Sequence, residues 1–351
     1  MQEGDAGASN RKVAICAHTP NGTARTRQSG SINGDVTGGN SVLLDVDSDV
    51  GGCRRGPPAL RIVTEQDIHM SETMKRPDPN HPLLPLARAY TNYFTPTVSG
   101  LENLPASGPA LVIGNHSSIY WAPEVWITFM SMMERRPDEP SFGVAHEILL
   151  RAPLLGDSLR DFGVIAASQE AASAGLKDGG AVMVYPGGDW EACRPWTDRG
   201  KIDFAGRKGF IRLAMKLGVP VIPAVANGGH DSIFVLSRGE RTAKLLQLDK
   251  LVRAKVFPYT VGLPFGVAPI LPQIPLPAHV SVSFLPALDW STEVGDPEDT
   301  VLVDAAYEQT VSTMQAELDR LRAETPNPVL TGLKKHAEGL PGPLSALAGL
   351  L

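Results

Sequence analysis

Short apolar runs alternate with segments of helical periodicity through the middle of the chain. Buried strands are predicted at residues 110–114, 143–145, 162–167, 181–184, 219–225 and 280–284. Helices are predicted at residues 123–133, 169–177 and 208–217, and apolar residues at helical spacing from Tyr307 to Leu321 indicate a long C-terminal helix. Strands that alternate with helices favour an α/β domain, with a central, mixed but mostly parallel sheet flanked by helices.

The two ends of the chain lack this pattern. Residues 1–80 are rich in Gly, Ser, Asn, Asp and Thr, and such a segment buries too little apolar surface to offset the entropy of ordering. We therefore expect a disordered tail over residues 1–80, a single folded domain over 81–325 and a loosely ordered C-terminal tail over 326–351. The folded domain is expected to begin with a short amphipathic helix at residues 83–94.

Two polar loops directly follow buried strands. The sequence Gly-Asn-His-Ser-Ser follows the strand that ends near residue 113, and Tyr-Pro-Gly-Gly-Asp-Trp-Glu follows the one that ends at residue 184. In open α/β sheets, ligands bind at the carboxyl ends of the strands. The first loop offers a histidine, whose ordinary pKa suits proton transfer near neutrality, and the second offers backbone N–H groups at a glycine turn. A base beside an anion-binding turn is suited to acyl transfer to a hydroxyl.

In this order, the motifs resemble those of the glycerolipid (lysophospholipid) acyltransferase superfamily. Its members carry Asn-His followed after four residues by Asp, then Phe-Pro-Glu-Gly-Thr-Arg, then Gly-x-Pro-Val-Ile-Pro. The matching segments here are Asn115-His116, Tyr185 to Gly188, and Gly218 to Pro223, and the resemblance covers residues 82–290. It implies transfer of a fatty acyl group from acyl-CoA or acyl carrier protein to a lipid hydroxyl, as in phospholipid biosynthesis, with acyl-CoA as co-substrate and no cofactor.

Two departures from the family pattern matter. Trp121 stands where the family has Asp, and the nearest downstream acid is Glu124. Gly187 to Trp190 replaces Glu-Gly-Thr-Arg, and the resulting Pro-Gly-Gly-x-x-Glu resembles the diacylglycerol acyltransferase branch and a related actinobacterial group, which accept less charged lipids. The acceptor is therefore left open between a lysophospholipid or other glycerolipid, diacylglycerol and another neutral alcohol.

Two side chains are predicted to carry the catalysis. His116 is expected to act as general base toward the acceptor hydroxyl, because the chain has no Gly-x-Ser-x-Gly elbow to supply a serine nucleophile. Glu124, in the first turn of a predicted helix, is expected to orient the imidazole and stabilise the imidazolium. Its alternative role is that of an acid favourable to the helix dipole, and Asp189 and Glu191 compete as partners of the histidine.

Further residues are predicted to bind the substrates. The Gly187-Gly188 turn offers N–H groups to an acyl or phosphate oxygen. Arg194 is expected to replace the missing family arginine as an anion clamp, with a salt bridge as the alternative, and Lys208 either contacts a coenzyme A phosphate or is solvated. The predicted substrate-binding set is Asn115, Gly187, Gly188, Asp189, Glu191, Arg194 and Lys208.

Composition narrows the partners of the protein. A net charge of −6 does not favour nucleic acid, and three cysteines without framework spacing favour a reducing compartment. The pairs His146-Glu147 and His230-Asp231 lack metal-ligand spacing, so no metal is expected. Because no run of about 18 uncharged apolar residues is present, we expect a cytoplasmic protein that lies on the membrane surface.

Residues 256–277 form a charge-free stretch that contains six prolines. Proline at this density cannot form a regular spanning helix. The stretch is suited to wetting the bilayer interface or lining an acyl tunnel, or to a buried connection between two elements. A non-catalytic lipid-binding protein is the alternative to an enzyme, and retention of His116 favours the enzyme.

Overall fold

The computed structural model describes two separate parts of the chain. They are Ser41–Leu43 with Ile62–Thr64, and residues 78, 81–117, 120–153, 155–251, 255–269, 271–292, 295–341, 345 and 348–349. The chain divides into two compact units, Met1–Ile68 and His69–Leu351. In the first, β1 (Ser41–Leu43) pairs antiparallel with β2 (Ile62–Thr64). The rest of residues 1–80, where disorder is predicted, lies outside the described residues apart from Asp78.

The second unit alternates strands and helices. Its strands are β3 (Thr97–Ser99), β4 (Ala110–Gly114), β5 (Ser141–Ala145), β6 (Val164–Ala166), β7 (Ala181–Val184), β8 (Val221–Asn227), β9 (Phe234–Ser237), β10 (Tyr259–Gly262), β11 (Gly266–Pro269) and β12 (Ser281–Phe284). Its helices are α1 (Leu84–Tyr93), α2 (Pro123–Arg135), α3 (Glu147–Leu150), α4 (Leu155–Asp161), α5 (Gln169–Lys177), α6 (Gly188–Ala192), α7 (Gly209–Leu217), α8 (Glu240–Leu245), α9 (Leu248–Leu251), α10 (Asp289–Thr292), α11 (Thr300–Glu324) and α12 (Pro328–Glu338).

A seven-stranded sheet organises this unit, in the order β3-β12-β8-β4-β7-β5-β6. The five strands from β8 to β6 are mutually parallel. β12 runs antiparallel to β8 and parallel to β3. The sequence prediction of an α/β fold with a mixed, mostly parallel sheet is confirmed.

Strand β4 lies near the centre of the sheet and is buried along its whole length. Leu111 and Ile113 pack into the core on one face with helices α5, α7 and α11. Ala110 and Val112 pack into the core on the other face with α1 and α2. A strand covered on both faces is a continuous apolar run in sequence, which is why the strand before the histidine motif is predictable from sequence.

The C-terminal segment differs from the prediction of a loosely ordered tail over residues 326–351. Helix α12 covers Pro328–Glu338, and Asn327 caps it by accepting the N–H of Leu330. A Cβ at Gly332 would lie 1.8 Å from the carbonyl oxygen of Pro277, so the helix packs directly on the main chain. The ordered structure therefore extends beyond residue 325.

The proline-rich stretch contains a β-hairpin. β10 pairs with β11, and β9 joins the other edge of β10 to form a three-stranded antiparallel sheet. The stretch exposes large apolar side chains, among them Leu263, Phe265 and Val267, so it is not a buried connection. Among the helices of the described residues, none combines the length and apolar character needed to cross a bilayer.

Candidate active site

Three loops meet at one edge of the seven-stranded sheet, because they follow the adjacent parallel strands β7, β4 and β8. Two of them are the loops predicted to form the site. The third, residues 228–231, follows β8; from the sequence, its His230-Asp231 pair was considered only as a metal site and was assigned no chemistry. A strand parallel to β4 must end at the same edge, so the Gly-Gly-His-Asp sequence after the predicted strand 219–225 was the signal that pointed to it.

The imidazole of His116 contacts the carboxylate of Glu124. His116 Nδ1 lies 2.7 Å from Glu124 Oε1. The acid reaches the imidazole because the chain turns at Ala122, in a left-handed φ of 40°, before Pro123 begins α2. An ionised carboxylate only accepts hydrogen bonds, so in this pairing Nδ1 carries the proton and Nε2 holds the lone pair. The His116 side chain is 20% exposed, and that of Glu124 is fully buried.

The carboxylate of Glu124 is satisfied by donors on the histidine loop. The Ser117 N–H donates to Oε1 at 2.8 Å, and the Ser117 hydroxyl donates to Oε2. The loop after β8 closes over this pair, since a Cβ at Gly229 would lie 2.0 Å from Ser117 Oγ. A buried carboxylate needs such partners, and they leave it aimed at the imidazole. Sequence reasoning missed Ser117 and Gly229.

The side chain of Asn115 ties the histidine loop to the sheet. Its Nδ2 donates to the Ala226 carbonyl oxygen and its Oδ1 accepts the Ala226 N–H, both at 2.8 Å. The residue is 2% exposed. Because both ends of the amide are bonded to β8, the predicted role of Asn115 in substrate binding does not fit its placement. It fixes the start of the loop instead.

Tyr185 packs between β4 and the histidine. A Cβ at Gly114 would lie 2.4 Å from its ring, which explains the glycine of the Gly-Asn-His motif. The ring centroids of Tyr185 and His116 are 5.1 Å apart. Burial, followed by the charge of Glu124, raises the pKa of the phenol, so Tyr185 stays neutral beside the imidazole.

A buried ion pair in and after α6 holds the backbone of His116. The N–H of His116 donates to Glu191 Oε2 at 2.9 Å, and Arg194 Nη2 donates to the His116 carbonyl oxygen at 3.0 Å. Glu191 and Arg194 are themselves 3.3 Å apart, and neither is exposed. Burial raises the pKa of Glu191, and the Arg194 charge opposes that shift. Glu191 therefore contacts the main chain of His116 and leaves the imidazole to Glu124.

The placement of Arg194 corrects the expectation of an anion clamp. Its Nε donates to His230 Nε2 at 2.7 Å, and its two Nη atoms donate to Glu191 and to His116. All three nitrogens thus serve protein acceptors in the interior. Burial, followed by the Arg194 charge, lowers the pKa of His230 well below its ordinary value. His230 is therefore neutral and accepts from the arginine.

The Pro-Gly-Gly turn is braced by an arginine that sequence reasoning left out. Arg207 Nη1 donates to the Gly187 carbonyl oxygen at 2.7 Å, and its Nη2 donates to Asp189 Oδ1 at 2.9 Å. The Gly188 N–H donates to the Tyr185 carbonyl oxygen, so this N–H is engaged within the turn. The Arg207 side chain is 43% exposed, so a ligand can reach this cation beside the turn.

The profile of the Acyltransferase family matches residues 95–227, a segment that contains the three strand ends and the His116–Glu124 pair. This segment of the chain is therefore similar to the Acyltransferase family. An uncharacterized protein of Mycobacterium tuberculosis is 27% identical over 251 residues, which are 68% of this chain and 65% of that protein. The chain thus matches slightly less than two thirds of this relative.

Two further similarities concern proteins whose names state a lipid function. A Gallus gallus protein named DGAT1/2-independent enzyme synthesizing storage lipids is 30% identical over 138 residues, 39% of this chain and 40% of that protein. The crystal structure of the 1-acyl-sn-glycerophosphate acyltransferase PlsC of Thermotoga maritima aligns with a TM-score of 0.40 and 17% identity. That alignment covers 73% of this chain and 87% of PlsC.

Trp190 occupies the position of the arginine in the acyltransferase pattern. Its indole Nε1 donates to Asp203 Oδ2 at 2.7 Å. The guanidinium carbon of Arg238 lies 4.1 Å from the ring centroid, within the range of cation–π attraction. The Trp190 indole is therefore fixed by contacts with Asp203 and Arg238, and it places an aromatic ring directly after the Pro-Gly-Gly turn.

Trp121 occupies the position of the aspartate in the acyltransferase pattern, and its polar groups bind other parts of the chain. Its Nε1 donates to the Gln273 carbonyl oxygen at 2.6 Å, and its carbonyl oxygen accepts the Tyr90 hydroxyl at 2.5 Å. Trp121 thus connects the histidine loop to α1 and to the proline-rich stretch. Glu124 stands beside the imidazole instead.

Lys208 is not brought together with the residues around His116. Its Nζ lies 2.7 Å from Asp304 Oδ1 and 5.4 Å from the ring centroid of Tyr307, both on α11. The lysine therefore links the start of α7 to the C-terminal helix. Contact with a coenzyme A phosphate would require it to leave this ion pair.

Proposed function

We propose that the protein is an O-acyltransferase that moves a fatty acyl group from a thioester to a lipid hydroxyl. The thioester is acyl-CoA or acyl-acyl carrier protein, and the acceptor is a glycerolipid or lysophospholipid hydroxyl, or a neutral alcohol. The single observation that carries the proposal is the 2.7 Å contact between His116 Nδ1 and Glu124. It leaves Nε2 with the lone pair, on a partly exposed histidine that is paired with a buried carboxylate.

In the proposed reaction His116 acts as general base and then as general acid. Nε2 takes the proton of the acceptor hydroxyl while that oxygen attacks the thioester carbonyl carbon. The tetrahedral intermediate collapses with cleavage of the carbon–sulfur bond, and the imidazolium returns its proton to the leaving thiolate. Glu124 stabilises the imidazolium through Nδ1, and the Glu191–Arg194 pair fixes the main chain that carries the imidazole.

The acceptor is proposed to lack a free phosphomonoester. An arginine at the family position would bind such a group with two parallel hydrogen bonds, and here Trp190 is committed to Asp203. The similarity to a vertebrate enzyme named for storage lipids supports a neutral acceptor such as diacylglycerol. The partly exposed Arg207 side chain would instead favour an acceptor with an anionic head group.

The reaction is proposed to take place on the cytoplasmic surface of a membrane, to which the protein binds peripherally. Support comes from the lipid nature of the acceptor and from the apolar side chains exposed around the β10–β11 hairpin. The buried Cys193 is a free thiol, and burial raises its pKa to about 12. An unpaired thiol is compatible with a reducing compartment.

The test is a thiol-release assay on the purified chain. Palmitoyl-CoA is offered with lysophospholipid, diacylglycerol or a long-chain alcohol, and the acylated product is identified by mass spectrometry. Acceptor-dependent release that disappears in His116→Ala supports the reaction. Release that is absent with every acceptor and with both acyl-CoA and acyl-acyl carrier protein, together with lipid binding, would favour a non-catalytic lipid-binding protein.

A further inference from the structure

We propose that the β10–β11 hairpin and the segment after it form the surface that docks this protein on an anionic lipid bilayer. We call it the hairpin surface, and its exposed apolar residues are Leu263, Phe265, Val267, Leu271, Ile274 and Leu276. The inference deepens the proposed function and rests on it for the identity of the partner, because a lipid acceptor has to be reached in a membrane.

The exposure of these side chains is the first observation. Leu263 is 72% exposed, Val267 is 67% exposed and Ile274 is 59% exposed. Scattered single apolar residues are ordinary on protein surfaces, but a contiguous group marks an interaction site. This group is contiguous because the Ile274 N–H donates to the Leu263 carbonyl oxygen at 2.6 Å, which folds the segment back on the hairpin.

The buried side chain of Gln273 fixes the segment after β11 to the β10–β11 hairpin. This residue is 1% exposed, and its Nε2 donates to the Gly266 carbonyl oxygen at 3.1 Å. A Cβ at Gly262 would lie 3.0 Å from the Gln273 Cβ, so the Gln273 side chain packs closely on the hairpin at this glycine. A preformed surface loses little conformational entropy when it binds.

Gln273 also connects the hairpin surface to the loop that carries His116. The Gln273 carbonyl oxygen accepts the indole N–H of Trp121, on the stretch of chain between His116 and Glu124. The Tyr93 hydroxyl donates to the Pro275 carbonyl oxygen at 2.7 Å, which adds α1 to the assembly. The hairpin surface is therefore hydrogen-bonded both to the chain segment between His116 and Glu124 and to α1.

The charge around the hairpin surface identifies the bilayer as anionic. Residues 256–277 contain no charged residue, whereas residues 238–255 contain six Lys or Arg and two acids, in a chain of net charge −6. Arg241, Lys244 and Lys255 are exposed, and α8 abuts the hairpin through the Thr242 hydroxyl, which lies 3.1 Å from that of Tyr259. An apolar centre with a basic rim fits an anionic lipid surface.

A second copy of the chain fits this surface less well than a bilayer. In a two-fold contact each patch meets its own copy, so the basic rim of one copy would approach the basic rim of the other. Like charges placed opposite one another oppose association. A bilayer supplies the complementary charge and accepts the apolar side chains without a matching shape.

The test is co-sedimentation of the full chain with vesicles. One set contains phosphatidylcholine alone, and in the other about a third of the lipid is phosphatidylglycerol. We expect tighter binding to the anionic set. Replacing Leu263, Phe265 and Val267 together by Ser is expected to lower binding to that set at least about tenfold. The matched control replaces Val301 and Leu302 by Ser, which are exposed at the start of α11, and it should bind as the wild type does.

A charge variant and a fluorescent variant make the test independent of any folding defect. Replacing Arg241, Lys244 and Lys255 by Ala should weaken binding to anionic vesicles by about fivefold per charge and leave binding to phosphatidylcholine unchanged. Phe265→Trp should show a blue-shifted emission increment with anionic vesicles. Wild-type binding by the apolar triple variant, or no shift in Phe265→Trp, would overturn the proposal. A wild-type dimer that this triple variant dissociates, without vesicle binding, would assign the surface to a second copy.

These experiments test the proposed membrane surface and the proposed acyl transfer independently of each other. His116→Ala should bind vesicles like the wild type, because the imidazole lies outside the hairpin surface. The apolar triple variant should keep wild-type turnover on short-chain, water-dispersed substrates. Retained vesicle binding in a protein that transfers no acyl group would refute the reaction alone, and retained turnover in a protein that ignores vesicles would refute the surface alone.

Discussion

Arg194 donates a hydrogen bond to the main-chain carbonyl oxygen of His116 at 3.0 Å. The arginine is fully buried, and the Glu191 carboxylate that pairs with it accepts the N–H of the same histidine. The ion pair thus holds both polar groups of one peptide residue. Arg194 and Glu191 hold the main chain of His116 and leave its imidazole in contact with Glu124.

His116→Ala should lower acyl transfer by about 10²–10⁴-fold, the usual cost of losing a general base. The fold should survive, since the imidazole is partly exposed and its loss leaves Glu124 with two donors from Ser117. The measurements are thiol release and thermal unfolding. His336→Ala is the matched control, because that histidine is exposed and lies on α12. More than a tenth of wild-type turnover in His116→Ala would contradict the base assignment.

Glu124→Gln should keep the volume of the side chain and remove its charge, so the imidazolium loses its stabilisation. We expect kcat to fall by about 10²–10⁴-fold with a smaller effect on KM. Steady-state kinetics with both substrates varied give the two constants. Glu134→Gln, on the exposed side of the same helix, is the control. A change confined to KM would mean that Glu124 acts in binding.

Arg194→Met should destabilise the protein by about 3–5 kcal/mol, because it leaves Glu191 buried without its charge partner. Urea unfolding followed by circular dichroism measures this loss. Arg207→Met, which removes the partly exposed guanidinium from Asp189, should cost no more than about 1 kcal/mol. Comparable stability of the two variants would show that the buried pair is not structural.

The acceptor preference should exclude lysophosphatidate. Trp190 is bonded to Asp203, and Arg194 is buried. The Arg238 guanidinium that stacks on Trp190 is largely buried and paired with Asp203. We expect a higher kcat/KM for diacylglycerol than for lysophosphatidate when the two are offered at equal concentration. The opposite order, abolished by Arg207→Ala, would show that the exposed Arg207 has taken over phosphate binding.

Acid should destabilise the protein through His230. Burial lowers the pKa of this histidine in the folded state, while the unfolded chain keeps the ordinary value of about 6.5. Stability is therefore fully present above about pH 6.5 and is lost as pH falls toward the lowered folded pKa, at up to about 1.4 kcal/mol per pH unit. In His230→Gln, which keeps an acceptor for Arg194, this part of the slope should vanish. Equal slopes between pH 7 and 5 in urea unfolding would contradict it.

The sequence by itself determined the fold class and the place of His116, the proposed base, at the end of a buried strand. β4 and β7 are buried on both faces, so their apolar runs mark them without tertiary information, and the predicted bounds 110–114 and 181–184 equal the observed ones. The order of the motifs gave the resemblance to the glycerolipid acyltransferase superfamily. Their place at the edge of the sheet was also predictable, because a loop that directly follows a strand in sequence lies at the end of that strand in space.

Only the tertiary structure decided which groups meet His116. Sequence spacing suggested Glu124 as the partner of the imidazole, and it predicted that Asn115 and Arg194 bind substrate. In the structure, both Asn115 and Arg194 are hydrogen-bonded to protein groups in the interior. The loop after β8 entered the site because β8 pairs with β4 across more than a hundred residues; the sequence marks this loop as a strand end, and the pairing brings it beside His116. Helix α12 likewise depends on packing against residues 277–279. Local periodicity reports which face of an element is buried, whereas the partner of a buried polar group is set by contacts between distant segments.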